Sequence, residues 1–184
     1  MPPMAGSSTA EQARFYYDLA SPESYLVAER ALHALGEVPE WIPVRLDEPV
    51  YRCEHELDAY REDVQRRAAA LGLMEIRWPE EVADEWALLA ATYAKGIGRG
   101  VAFSLAALRQ AFAAGRDLSV QTNVLIAAAA CEMHPTAVVK GAGLASTARA
   151  LQENIERARA DGVDAVPAIW TPEGLLAGER AVPA

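Results

Sequence analysis

The sequence predicts an α/β fold in which a small sheet is interrupted by helices. Residues with high β propensity occur near both ends of the chain, at 13–18, 41–46 and 165–177. Between them, apolar residues recur at the spacing of amphipathic helices. The predicted order is therefore β-α-β, a block of helices, and then a β-hairpin.

These patterns also divide the chain into domains. Residues 13–46 and 163–184 are expected to form one split domain that contains the sheet, and residues 47–162 an inserted all-helical domain. The first dozen residues are small and polar, so 1–12 are expected to be a disordered leader. They lack the basic start and apolar core of a signal peptide, and the strongest apolar run, 124–131, is too short to span a bilayer. We therefore expect a cytoplasmic protein that binds no membrane.

The first strand and the first helix meet at a serine. The aromatic run 15–17 ends at Asp18, and Ser21 has the oxygen-bearing side chain favoured at a helix N-cap. Pro22 suits the first helical position, and the helix is predicted to reach Leu35. The strand thus brings a helix N-terminus and a hydroxyl to one point, which the helix dipole makes suitable for an anion.

The remaining elements follow from periodicity and from the positions of glycine and proline. A second strand is predicted at 41–46, parallel to the first, and Pro43 within it indicates an edge position or a bulge. The helix predicted at 120–132 is apolar on most sides and is therefore expected to be central. The other predicted elements are helices at 56–71, 79–97, 101–115, 135–142 and 146–160, and strands at 165–170 and 175–177.

Composition and spacing exclude several functions. A net charge of −9 and a pI near 4.9 argue against nucleic-acid binding. Cys53 and Cys131 form no C-x-x-C, and the three histidines lack the spacing of metal ligands, so neither a dithiol site nor a metal is expected. A disulfide oxidoreductase is rejected because it needs two neighbouring sulfurs. A serine hydrolase is disfavoured because no histidine lies near Ser21 in the segment 15–26.

The segment Ser21-Pro22-Glu23-Ser24 resembles the Cys-Pro-x-Cys motif of DsbA-like thioredoxin folds, with both sulfurs replaced by hydroxyls. A strand followed by Asp-x-x-Ser-Pro-x-Ser-Tyr-Leu is similar to the start of the 2-hydroxychromene-2-carboxylate isomerase and kappa-class glutathione transferase family. In that family the serine before the proline hydrogen-bonds the thiol of glutathione. The resemblance implies this catalytic role for Ser21 and a cofactor-binding role for Ser24. The alternative is that Ser21 only caps its helix.

A second match lies near the end of the chain. The segment 164–170 resembles the cis-proline segment of thioredoxin folds, which implies a cis Val166-Pro167 bond facing Ser21. Val166 would then pair through its backbone with the cysteinyl backbone of glutathione, as an added strand. An ordinary proline at the start of a strand is the alternative.

Two further matches are less specific. Gly178-Glu179-Arg180 resembles a Gly-Ser/Asn-Asp-Arg turn that holds the γ-glutamyl end of glutathione, with Gly178 in place of the polar residue and Glu179 in place of the aspartate. Tyr60-x-x-Asp63-x-x-Arg66 looks like a charged helix of the family. Asp63 either belongs to the thiol pocket or forms a solvated pair with Arg66, since i and i+3 share a helix face.

The sequence also departs from the family. The loop 47–53 lacks a Gly-Asn-x-Pro-Pro-like segment and its lysine, and the chain stops at Ala184 without the usual C-terminal helix. A missing helix would expose an apolar sheet face unless the insertion or a second subunit covers it. We therefore expect a homodimer, which is also the commonest oligomer of soluble proteins.

Taken together, the resemblance implies a thioredoxin-like fold with an inserted all-helical domain. It implies a thiol-dependent isomerase or transferase that uses glutathione or another low-mass thiol and a small electrophilic or aromatic substrate. The alternative is a catalytically inactive DsbA-like binding protein, which the missing loop and Gly178 favour.

Overall fold

The computed structural model describes residues 11–34, 38–46, 53–80 and 83–178. Strands and helices follow the predicted order, with a block of helices between the second and third strands. The elements are β1 (Arg14–Tyr17), α1 (Pro22–Ala34), β2 (Glu40–Pro43), α2 (Glu54–Ala70), α3 (Glu85–Gly96), α4 (Gly100–Phe112), α5 (Gln121–Ala130), α6 (Pro135–Ala142), α7 (Ala145–Ala160), β3 (Ala168–Thr171) and β4 (Gly174–Ala177).

The four strands form one mixed sheet in the order β2-β1-β3-β4. β1 pairs in parallel with β2 and antiparallel with β3, and β4 pairs antiparallel with β3. The predicted parallel pairing of the first two strands is confirmed. Pro43 lies in β2 at the edge of the sheet, where its missing N–H removes no ladder hydrogen bond on the open side.

Successive side chains of β1 point to opposite faces of the sheet. Both faces are therefore apolar, and helices cover each of them. Phe15 and Tyr17 point to one face, where Phe15 meets Trp41 edge to face at 4.9 Å, and they share a buried cluster with α1, α3, α4 and α5. Tyr16 points to the other face and packs with Ile42 and with Ala158 of α7. The sheet and the helical segment therefore share a core.

Two elements differ from their predicted form. Helix α3 begins at Glu85 rather than near Pro79, because the Asp84 carboxylate caps it by accepting a 3.0 Å hydrogen bond from the backbone N–H of Ala87. The prediction that the helix at 120–132 is central is wrong. α5 buries Val124 on one side but leaves Ile126 45% exposed, since its other face is not covered.

Three expectations about organisation stay predictions. The domain boundaries at residues 46 and 162 are untested, and residues 1–10 of the expected leader lie outside the described residues. Leu175 and Leu176 of the edge strand β4 are exposed, so apolar surface is present at this margin of the sheet. Association of two subunits is a prediction for that surface. No helix within the described ranges is long and apolar enough to cross a membrane.

Candidate functional site

Ser21 forms the N-cap of α1. Its backbone N–H donates to the carbonyl of Asp18 at 3.2 Å, and its own carbonyl accepts the first helical hydrogen bond from Tyr25. The Ser21 Oγ accepts a 3.0 Å hydrogen bond from the backbone N–H of Ser24. A serine that accepts in this way keeps its hydroxyl proton to donate elsewhere. Capping therefore leaves Ser21 able to donate a hydrogen bond to a ligand.

Asp18 holds the turn that leads to Ser21. Its buried carboxylate accepts a 2.9 Å hydrogen bond from the backbone N–H of Ala20 and two of 3.0 Å from the guanidinium of Arg45. Arg45 also donates to the carbonyl of Ala83 at 2.8 Å. This bidentate pair joins the ends of two parallel strands and positions the serine.

The segment before β3 completes the opposite boundary of the site. The Val166-Pro167 peptide bond is cis, as the sequence predicted. Val166, Pro167 and Gly178 line the same cavity as Ser21. The backbone N–H of Gly178 donates to the carbonyl of Pro167 at 2.8 Å, whereas no described residue hydrogen-bonds the backbone of Val166. Val166 therefore borders the same space as the Ser21 side chain.

The cavity between these segments has a volume of about 640 Å³. On a third side its wall is formed by α2 and the segment after it, which contribute two aromatic rings among charged and apolar side chains. The rings of Tyr60 and Trp78 lie 6.3 Å apart, and the guanidinium of Arg61 lies 5.6 Å from the centre of the Trp78 ring. Phe112, at the end of α4, also lines the cavity. A planar apolar group would fit against this wall.

Glu23 connects α1 to that wall. Its carboxylate accepts a 2.6 Å hydrogen bond from the hydroxyl of Tyr60 and lies 3.3 Å from the guanidinium of Arg67. The Nε of Arg67 lies 2.8 Å from the carboxylate of Asp63, one turn earlier on α2. These contacts hold α2 beside the N-terminus of α1.

The sequence matches no protein-family model and no curated protein. Among solved structures, 2-hydroxychromene-2-carboxylate isomerase superposes with a TM-score of 0.78 and 17% identity over 90% of this chain and 88% of that chain. A probable DsbA oxidoreductase from Streptomyces coelicolor superposes with a TM-score of 0.74 and 19% identity, over 90% of this chain and 82% of the other. The chain has a DsbA-like thioredoxin fold. The fold class predicted from the sequence, with its inserted helices, is confirmed, as is the resemblance at the level of fold.

A third structure of the same fold was solved with glutathione. It is the cytosolic disulfide reductase DsbM from Pseudomonas aeruginosa, which superposes with a TM-score of 0.63 and 15% identity over 89% of this chain and 87% of that one. Isomerases and disulfide-exchange proteins thus share this DsbA-like architecture. The side chains around the cavity must distinguish between such functions.

The DsbA-like fold brings together some of the residues that the sequence singled out. Ser21, Val166, Pro167 and Gly178 line the cavity. Ser24 is fully buried behind Ser21, where its hydroxyl oxygen accepts from the backbone N–H of Asp18 at 3.3 Å, so it supports the turn from behind.

The other two predicted residues lie elsewhere. Asp63 is outside the lining of the cavity and pairs with Arg66 and Arg67, which favours the charged pair over a direct place in the pocket. Glu179 lies outside the described residues. Sequence reasoning assigned no role to Arg45, or to Glu23 inside the serine motif. The position of Glu23 between the two serines was the signal that could have identified it.

Neither cysteine lines the cavity: Cys53 is exposed at the N-terminus of α2, and Cys131 is buried. Burial raises the pKa of the Cys131 thiol, although the charge of Arg99 acts in the opposite direction. The cavity lining that contains Ser21 thus includes neither thiol.

Proposed function

We propose that the cavity binds a low-mass thiol, such as glutathione, with its sulfur at Ser21, and that the chain is a thiol-dependent isomerase or transferase of the 2-hydroxychromene-2-carboxylate isomerase type. The observation that carries the proposal is the Ser21 hydroxyl, which faces a cavity at the N-terminus of α1 and shares that cavity with a cis-proline segment. Neighbours of the same fold include that isomerase and a reductase solved with glutathione.

The serine supplies what an external thiol needs to ionise. A thiol with a pKa near 8.5 must be shifted by roughly two units to be mostly ionised at neutral pH, or about 2.7 kcal/mol. A helix N-terminus contributes about 0.3–2 kcal/mol, and a hydrogen bond from a hydroxyl to a charged sulfur about 1.5–3 kcal/mol. Together they contribute about 1.8–5 kcal/mol, a range that includes the free energy required. Ser21 therefore stabilises a thiolate that the cofactor brings, without a general base.

The rest of the cavity suits the other parts of such a complex. The backbone of Val166, which no described residue hydrogen-bonds, would pair with the extended backbone of a thiol peptide. The aromatic wall formed by Tyr60 and Trp78 would receive a conjugated electrophile. In an isomerisation the thiolate adds to the conjugated system, the ring opens, one bond rotates and the thiolate leaves. The thiol is regenerated, whereas a transferase keeps the adduct.

The experiment compares the bound thiol in wild type and in Ser21→Ala. Thiolate absorbance near 240 nm is followed against pH as a difference spectrum with and without glutathione. Ser21→Ala should raise the pKa of the bound thiol by roughly one to two units and slow turnover of 2-hydroxychromene-2-carboxylate by roughly ten- to a hundredfold. Ser104→Ala is the matched control, because it removes a buried hydroxyl that contacts Tyr17 and lies outside the cavity lining. It should lower stability by about 1–3 kcal/mol and leave the thiol titration unchanged.

Identical titrations for wild type and Ser21→Ala would mean that Ser21 only caps α1, and the proposal would be abandoned. A binding protein without turnover is the second candidate, and the observation that favours it is Gly178, which offers no side chain to the far end of a thiol peptide. For that candidate, glutathione raises the melting temperature by mass action while no electrophile is converted.

A further inference from the structure

A carboxylate lines the cavity in which the thiolate is proposed to lie. Glu23 is two residues after Ser21, in the first turn of α1, and both residues line the cavity. Residues two positions apart point to different sides of a helix, so the shared cavity, and not the helical spacing, places this carboxylate near a sulfur bound at Ser21. A negative charge there opposes ionisation of a bound thiol, because like charges disfavour each other.

The structure shows what offsets this charge. Arg67 reaches across from α2 and lies 3.3 Å from one Glu23 oxygen, while the hydroxyl of Tyr60 donates to the other. The side chains of Arg67 and Glu23 are only 26% and 24% exposed, so solvent screens the pair weakly. The carboxylate of Asp63 lies 2.8 Å from the Nε of Arg67, an ion-pair distance without a hydrogen bond at that atom.

The other charged groups that face the cavity are arranged differently. Asp18 has its bidentate partner Arg45 within the sheet end itself. Arg61 lies over Trp78 and 3.8 Å from Asp58, and Glu80 is exposed at the margin. Glu23 differs from Asp18 because its neutralising partner, Arg67, comes from α2 and not from the end of the sheet.

We propose that Arg67, acting through Glu23, maintains the charge balance that allows a thiol at Ser21 to stay ionised. Arg67 is a positioning residue in this account, since it acts on the Glu23 carboxylate rather than on the sulfur. The inference rests on the proposed function. It assigns to the inserted helices an electrostatic role in the chemistry of the serine site.

The test measures the pKa of bound glutathione by difference absorbance near 240 nm in four proteins: wild type, Arg67→Gln, Glu23→Gln/Arg67→Gln, and Arg66→Gln. Arg67→Gln should raise the pKa of the bound thiol by about 0.5 to 1, because Glu23 then acts without its counter-charge. Adding Glu23→Gln should return it to the wild-type value.

Arg66→Gln is the matched control. Arg66 is the neighbouring residue on α2, pairs with the same Asp63 and carries the same charge, but its side chain is 73% exposed and outside the cavity. Its removal changes the net charge equally without touching Glu23. The pKa of bound glutathione should therefore stay within about 0.2 of wild type, since exposed charges are screened by solvent.

A second measurement separates charge balance from direct binding. S-methylglutathione has no ionisable thiol, so Arg67→Gln should leave its dissociation constant unchanged while weakening glutathione binding near neutral pH by roughly three- to tenfold. An equal loss for both ligands would overturn the inference, because Arg67 would then contact the ligand or support the fold. So would an unchanged thiol pKa in Arg67→Gln.

The wild-type titration tests the proposed function separately. If wild type binds no glutathione, or binds it without lowering its thiol pKa, the proposed function fails and this inference with it. If wild type lowers the thiol pKa and Arg67→Gln does so equally well, only the role of Arg67 and Glu23 is wrong.

Discussion

The guanidinium of Arg45 donates two hydrogen bonds of 3.0 Å to the carboxylate of Asp18, directly beneath the turn that presents Ser21. Asp18 follows β1 and Arg45 follows β2, so the pair forms where two parallel strands end side by side. A third hydrogen bond from Arg45 to the carbonyl of Ala83 extends the contact to the segment before α3. The geometry of the serine site thus depends on an ion pair between residues that are distant in sequence.

Breaking this pair should destabilise the protein by an amount that depends on which partner is left. Asp18 is the more buried member, at 5% side-chain exposure against 29% for Arg45. Arg45→Met leaves a buried carboxylate unpaired and should cost about 3–5 kcal/mol of unfolding free energy. Asp18→Asn leaves a partly hydrated guanidinium and should cost less, about 2–3 kcal/mol. Urea denaturation measures both.

The double variant Asp18→Asn/Arg45→Met is the control for coupling. Removing both charges leaves neither unpaired, so its cost should be smaller than the sum of the two single costs by at least about 1 kcal/mol. Additive costs would mean that the two side chains stabilise the fold independently, and they would contradict the coupling expected from the bidentate pair.

The ion pairs of Glu40 should make stability depend on pH in a defined direction. Burial alone would raise the pKa of Glu40, but Lys95 at 2.9 Å and Arg157 at 3.0 Å outweigh it and lower that pKa below its ordinary value of 4.5. A depressed carboxylate pKa adds stability above the unfolded value, and that stability is lost as the pH falls through the folded value. The contribution should therefore be present at neutral pH and absent in acid.

Glu40→Gln is the variant that shows this. Near neutral pH this variant should unfold at a lower urea concentration than wild type. Its free energy of unfolding should be lower by less than about 1 kcal/mol, because the ion pairs are partly exposed. The difference should shrink below pH 4.5 and vanish further into acid. Glu153→Gln, at an exposed position of α7, should match wild type throughout. A Glu40→Gln difference that persisted or grew in acid would contradict the assigned pKa direction.

The protein should lack disulfide-exchange activity in an insulin-reduction assay. Ser21 and Ser24 occupy both sulfur positions of the motif, and Cys53 and Cys131 lie outside the cavity lining. Exchange requires a thiolate that attacks a sulfur, and neither serine can supply one. Any turnover should disappear in Cys53→Ala/Cys131→Ala. Turnover that survived in this double variant would show that the serine motif had been misinterpreted.

Local features of this protein were determined by sequence over a few residues. The N-cap at Ser21, the proline at the start of α1 and the order of strands and helices all follow from capping, ring geometry and apolar periodicity. These signals act between residues that are close along the chain, so they can be read without a fold. The cis bond before Pro167 was predicted from the resemblance to thioredoxin folds. Propensity alone would not predict it, since the bond before a proline is cis in only about one case in twenty.

Tertiary packing alone decided which charges meet at the site. Arg66 and Arg67 are adjacent on α2, and both lie within reach of Asp63, but successive helical residues are about 100° apart around the axis. The rotation of α2 against α1 directs Arg67 to Glu23 and Arg66 to solvent. In the same way, the register of β1 with β2 brings Arg45 to Asp18. Sequence spacing could not determine either contact, because each depends on how two separate elements pack.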